Sequence, residues 1–357
     1  MSSRSLLALS VGMSLLLAAC GPGAASSPGA GGAPTSPTAA PGASTPCARS
    51  APATPPEPVA LRYGPVTFTA MFWPLYLGEA KGWFTEEGVN LEVIMFRVSS
   101  DATRALSADS IDIAGTAFDS AVLAVEGGAD VVAVSGILNK PLYNLIVRPE
   151  IRSVTDLRGK TLGVSDLRDG STILLQRALD REGLHPGEYD MVQAGGTPDR
   201  YAAVKSGAVA GAMLSQPNDF IAMAEGYPSL LLVSDIIPDY QFTANVVRRS
   251  WAQRNEDALA RFHRVWIRAC RWLYDPANKA EAISILAQRL NTPEDLARKT
   301  YELYFEHADA LPRNGELNLA GVRTVLDIMT EMGNLPSPTP PIDRYVDTSY
   351  LERAARR

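Results

Sequence analysis

The sequence predicts an α/β protein with a mostly parallel sheet in each of two segments, followed by a helical C-terminal portion. Three observations carry this. From Val66 onward, short apolar runs alternate with helix-period patterns, the mark of βα units. The alternation restarts at Thr161, and beyond Trp251 the chain reads as nearly all helix to about Met332, with a Pro-rich tail after it. The length of 357 residues agrees: at about 150 residues per domain it suggests two domains.

In the first segment the predicted strands are Val66–Ala70, Asn90–Phe96, Ile111–Gly115, Val131–Val134 and Leu145–Val147. Helices are expected from about Pro74 to Lys81, where Gly82 stops the turn, then over Asp101–Ala108 and Phe118–Glu126. The second segment reads strand Thr161–Val164, helix Ser171–Glu182, strand Asp190–Gln193, helix Pro198–Ser206 and strand Val209–Leu214. Helix Asn218–Glu225 and strand Leu230–Val233 follow, and Val246–Val247 closes the run.

Composition excludes several classes. Apolar residues make up 46% and charged residues 20%, with 33 Lys+Arg against 39 Asp+Glu. A disordered chain has fewer apolar residues, and a protein that binds nucleic acid through phosphates is basic, so no nucleic-acid partner is expected. Three cysteines are too few for a disulfide scaffold.

The 26 prolines and 28 glycines look high for two compact domains until their placement is considered. Residues 1–20 read as an export signal, with Arg4 ahead of an apolar stretch from Leu6 to Ala19 that is too short to span a membrane. It ends in Leu17-Ala18-Ala19-Cys20 and resembles a bacterial lipoprotein signal, which implies lipidation of Cys20 and a membrane anchor. Residues 21–60 are almost entirely Gly, Ala, Ser, Thr and Pro, which predicts a disordered tether. Cys47 lies in that tether and Cys270 in a helix, and nothing favours a bridge between them.

In open α/β sheets ligands bind beyond the carboxyl ends of the strands. Four such loops carry unusual residues: Trp73-Pro74-Leu75-Tyr76, Gly115-Thr116-Ala117-Phe118-Asp119, Ser165 to Thr172, and Ser215-Gln216-Pro217-Asn218. The run from Trp73 through Gly82-Trp83-Phe84 to Glu87-Gly88-Val89 resembles the start of solute-binding proteins of ABC importers. The class in question binds nitrate, sulfonates, taurine and thiamine-precursor pyrimidines. Three further stretches are similar to that family in the same order: Ile111-Asp112-Ile113-Ala114-Gly115, Asp156 to Val164 with Gly170-Ser171 behind it, and Ser206 to Ala212.

The resemblance covers roughly residues 66–234 and implies the two-lobed type II periplasmic-binding-protein fold. Lobe 1 is expected from 61–147 plus 246–357 and lobe 2 from 148–245, with crossovers near Arg148-Pro149 and Thr243-Ala244-Asn245. It also implies a small-molecule solute, permease and ATPase partners, an extracytoplasmic location and a monomeric receptor that closes its lobes on the ligand.

Each candidate ligand-binding residue has a plainer reading beside it. Gly170-Ser171-Thr172 open a helix whose free N–H groups suit an anion, or Ser171 simply caps it. Arg168 pairs with a carboxylate or sulfonate, or with Asp166 or Asp169 at the surface. Trp73 and Tyr76 form a flat wall for an aromatic ligand, or belong to the core. Asp119 faces the cleft and favours an amine, hydroxyl or ring N–H, or it caps its own helix. Thr116, Phe118 and Ser165 stand in the same loops, Asn144 and Gln216 offer amide hydrogen bonds, and Arg97 is a further candidate anion contact.

Catalysis has little support. His185, His263 and His307 match no metal motif, and neither a G-x-S-x-G elbow nor a Walker A loop occurs. No cofactor or metal is expected. The expected function is an ABC-importer receptor for a small organic anion or heterocycle. An exported enzyme that keeps the two-lobed fold, and a sensory lipoprotein that presents a ligand, are the alternatives.

Overall fold

The computed structural model describes residues 57–167 and 170–356. The export signal, Cys20, Cys47 and nearly all of the expected tether lie outside the described residues.

Ten strands form two five-stranded sheets. They are β1 (Val59–Pro65), β2 (Val89–Val93), β3 (Ile113–Ala117), β4 (Val131–Leu138), β5 (Asn144–Val147), β6 (Thr161–Val164), β7 (Asp190–Gln193), β8 (Gly211–Leu214), β9 (Ser229–Leu232) and β10 (Thr243–Arg248). The first sheet runs β2-β1-β3-β10-β4 and the second β7-β6-β8-β5-β9. In each, one strand is antiparallel to both neighbours, β10 in the first and β5 in the second. Each of those strands arrives from the other sheet, so no βα crossover dictates its direction. The remaining neighbours pair in parallel, as right-handed βα units require. Helices cover both faces of the first sheet, so β3 and β4 are buried along their whole length and read as continuous apolar runs.

Two expectations need correction. The first strand is Val59–Pro65, not Val66–Ala70. Val66 makes only an isolated bridge to Phe96, and Ala70–Phe72 is a 3-10 turn. The strand was hidden because it starts inside the presumed tether and is bounded by Pro58 and Pro65. Its inward residues Leu61 and Tyr63 are buried, while Arg62 pairs with Asp112 at 2.7 Å.

The crossovers also move. Asn144–Val147, expected in lobe 1, pairs with β8 and β9 in the second sheet, so the first crossover is 139–143. Thr243–Asn245, expected in lobe 2, pairs with β3 and β4, so the return runs through 237–242. The two connectors touch. Tyr143 and Phe242 meet edge to face at 5.1 Å, and the Phe242 N–H donates to Leu138 O at 3.1 Å. Gln241, fully buried, donates to Thr243 O at 2.8 Å and accepts from Asn318 N at 2.7 Å. A hydrophobic pattern read along the chain places a strand but not its sheet.

The helices used below are α1 (Trp73–Ala80), α2 (Ser99–Ser107), α3 (Phe118–Glu126), α4 (Gly170–Arg181), α5 (Thr197–Lys205), α6 (Asn218–Ala224) and α7 (Glu256–Leu273). Phe262 and Trp266, one turn apart on α7, stack at 5.5 Å, and Phe262 stacks on Tyr63 of β1 at 5.4 Å. Tyr63 in turn donates to Asn245 Oδ1 at 2.8 Å, so β1, the returning strand β10 and α7 form one unit. The C-terminal tail comes back to the sheet: Val346 bridges Ala133, and helix Ser349–Ala355 follows.

His263, beside Phe262, is wholly buried, and that burial pushes its pKa down to about 3, a backbone hydrogen bond with Tyr350 opposing it. The native state therefore keeps a neutral ring while the unfolded chain takes up a proton below about pH 6.5. The stability this group contributes is present above that pH and is lost as the pH falls toward 3. In urea unfolding at pH 7 and pH 5, the wild type should lose about 2 kcal/mol more on acidification than His263→Leu.

Candidate functional site

A cavity lies where loops beyond the carboxyl ends of strands from both sheets meet. The loop after β1 contributes Val66, Thr67 and Met71, and the loop after β2 contributes Arg97, Val98 and Ser99. From the second sheet come Ser165 and Ser171 beyond β6, then Gly196, Thr197 and Arg200 beyond β7. Tyr143 and Phe242 of the connectors, with Thr243, form its back wall. The space open to water is only about 30 Å³, room for a few waters at most.

The space is small because the two halves touch around it. Arg97 pairs with Asp199 at 2.8 Å, Ser100 Oγ donates to Asp166 Oδ2 at 2.9 Å, and the Ala70 N–H donates to Gln216 O at 3.1 Å. Asp119, at the start of α3, lies against Gly170 at the start of α4, so close that a Cβ built on Gly170 would fall 1.2 Å from Asp119 Oδ2. Anything larger than water enters only if the halves part or side chains move.

Arg200 is the charged group held most deeply in this wall. It is 2% exposed, its Nε donates to Met213 O at 2.9 Å, and its other nitrogens donate to Gly195 O at 2.8 Å and Thr197 Oγ1 at 3.2 Å. The guanidinium also lies 5.8 Å from the centre of the Tyr143 ring. Among the described residues, the cavity wall contains no carboxylate, histidine or thiol.

Behind the wall sits a buried carboxyl. Asp219 at the start of α6 accepts from Asn144 Nδ2 at 2.7 Å and Gln216 Nε2 at 2.6 Å. Burial raises its pKa to about 6, against the lowering effect of those bonds. Asp219 joins β5 to the 215–218 loop and is not one of the residues lining the cavity.

With the geometry in hand, comparison with known proteins identifies the family. The model described as NMT1/THI5 like matches residues 69–280, more than half of the chain. The chain belongs to the NMT1/THI5-like family. A relative named as a putative binding protein from Brucella abortus is 25% identical over 292 residues, covering 79% of this chain and 89% of its own. The ligand-binding component of an ABC-type import system from Staphylococcus aureus has the same fold: TM-score 0.70, 16% identity, 84% of this chain and 99% of that one. So does a periplasmic nitrate-binding protein from Synechocystis: TM-score 0.71, 15% identity, 85% and 90%. A Schizosaccharomyces pombe relative, 24% identical, is named a 4-amino-5-hydroxymethyl-2-methylpyrimidine phosphate synthase; the match covers only 34% of this chain and 35% of that protein.

In this NMT1/THI5-like chain the expected site residues divide sharply. Ser165 and Ser171 line the cavity, their hydroxyls 2.7 Å apart, and Arg97 reaches its rim. Gly170 and Asp119 meet at the edge of the cavity rather than in its wall. Thr172 donates to Asp166 O at 2.6 Å inside its own loop. Trp73 and Tyr76, expected as a flat wall, are core. Trp73 packs edge-on against Tyr301 and Phe305, and Tyr76 donates to Thr69 O at 3.0 Å. Thr116 and Phe118 are fully buried, Thr116 reaching Ser99 O at 3.4 Å. Asn144 and Gln216 spend their amides on Asp219. Arg168 lies outside the described residues.

Several lining residues were not expected: Thr67, Met71, Tyr143, Thr197, Arg200, Phe242 and Thr243. Tyr143 and Phe242 carry no motif, since connectors are located only by the topology. Arg200 did have a signal, the Gly195-Gly196-Thr197 turn just before it, which lets backbone pack closely beside the guanidinium.

Proposed function

We propose that this protein is the extracytoplasmic receptor of an ABC importer, held to the membrane by a lipid on Cys20, delivering a small solute to a permease. The observation that carries the reading is the position of the cavity. It is walled by both halves and by the two connectors between them, so a solute there is held by every part that must move for it to leave. The names of the relatives, binding proteins and import components, support the same reading. Among the described residues the wall holds no carboxylate, histidine or thiol, which favours binding over catalysis. Transport then rests on different affinities for the solute in the open and closed arrangements.

The test is a thermal-shift screen of the chain lacking residues 1–20 against a broad metabolite panel. At saturating concentration a cognate solute should raise the melting temperature by several degrees, because it binds only the folded state. Cys20→Ser, expressed with its signal, should bind the same solute but leave the membrane fraction. Failure of every small solute to shift the melting temperature rejects the receptor reading.

A further inference from the structure

We infer that the solute is an anion with a compact, largely apolar body, and that Arg200 binds its charged group. This rests on the receptor reading and adds the chemical class and the anchoring residue.

The argument starts from charge. Among the described residues two cations face the cavity, and they differ. Arg97 is 74% exposed and already paired with Asp199 at 2.8 Å. Arg200 is 2% exposed, and its three hydrogen bonds all go to neutral oxygens, two carbonyls and one hydroxyl. Among the described residues no carboxylate comes within ion-pairing distance of it. A guanidinium has five N–H donors, so the bonds that position Arg200 leave part of the fork free. A buried charge without a counter-charge is costly, and an anion entering the cavity would offset that cost.

Two hydroxyls strengthen the assignment. Thr67 Oγ1 and Thr243 Oγ1 are buried, line the same cavity, and have no hydrogen-bond partner among the described residues. Buried polar atoms are ordinarily satisfied. A carboxylate or sulfonate oxygen is an acceptor that either hydroxyl can serve as a donor. Thr67 comes from the β1 side and Arg200 from α5, so an anion between them is gripped by both halves. Ser99, Ser165, Ser171 and Thr197 add hydroxyls to the wall, and its apolar part, Val66, Met71, Val98, Ala117 and the rings of Tyr143 and Phe242, suits a small hydrocarbon or ring on the anion.

A purely structural Arg200, stapling β8 to the Gly195 turn, is the competing explanation, and variants separate the two. The probes are acetate, butyrate, benzoate, methanesulfonate and benzenesulfonate, each against its neutral amide, in low-chloride buffer, together with whatever solute the broad screen returns. At least one anion should bind while its amide does not. Arg200→Gln should weaken that anion 10- to 100-fold, the loss expected when a charge-assisted pair is removed. If Arg200→Gln fails to fold, Thr67→Val and Thr243→Val serve instead; each should weaken the anion several-fold with the melting temperature nearly unchanged.

A neutral or cationic solute returned by the screen overturns the inference and leaves the receptor reading standing. So does an anion whose dissociation constant ignores both Arg200→Gln and the threonine variants. No ligand of any charge rejects the receptor reading itself.

Discussion

Gly170→Ala should weaken solute binding roughly 10- to 100-fold while leaving both halves of the molecule folded. Gly170 opens α4, and its backbone conformation is one that alanine adopts without strain. The obstacle is space: the new Cβ would fall 1.2 Å from Asp119 Oδ2 and 2.2 Å from its carboxyl carbon, both on the other half. The halves cannot then come together as they do here without displacing a carboxylate that is 1% exposed. Isothermal titration with the cognate solute measures the loss, and small-angle scattering should show the variant failing to compact when ligand is added. Removing the obstruction as well, in Gly170→Ala with Asp119→Gly, should recover much of the affinity. Normal binding by Gly170→Ala alone would mean that the Asp119–Gly170 contact plays no part in closure.

Trp73→Ala should lower the unfolding free energy by about 3–5 kcal/mol. Trp73 is fully buried at the start of α1, between Tyr301 and Phe305 at 5.9 and 5.4 Å, with Tyr304 at 6.5 Å. Truncation removes the aromatic contacts and leaves a cavity that the three neighbouring rings cannot easily fill. Denaturant unfolding measures the cost. At a temperature where the variant remains folded, its solute affinity should stay close to that of the wild type, because the indole does not line the cavity. A selective loss of affinity in a fully folded variant would return Trp73 to the site.

These two residues show how far a site can be read from sequence. Both stand in the same kind of loop, a strand end leading into a helix, and one such loop brings Ser165 and Ser171 to the cavity. What a loop position does not reveal is direction. Trp73 turns inward because the C-terminal helices bring Tyr301 and Phe305 onto α1 from more than 200 residues away. Asn144 was expected to offer its amide to a ligand, but α6 places Asp219 against it first. An arginine in an amphipathic helix usually faces water, and only the packing of α5 against β8 and Tyr143 buries Arg200.

The sequence by itself determined the class of the fold, the alternation of strands and helices, the restart near Thr161 and the family signature. All are local in origin: period-2 and period-3.6 patterns, capping glycines and short motifs are written within a few residues of where they act. Tertiary structure decided which sheet β5 and β10 join, and hence where the halves divide. It also decided which polar groups are turned into the cavity and which are spent inside the protein. Strand pairing and burial depend on partners distant along the chain, so the same apolar run serves either sheet until the whole is packed. The one antiparallel strand in each sheet, and a buried arginine that shares a cavity with Thr67 and Thr243, are products of that packing.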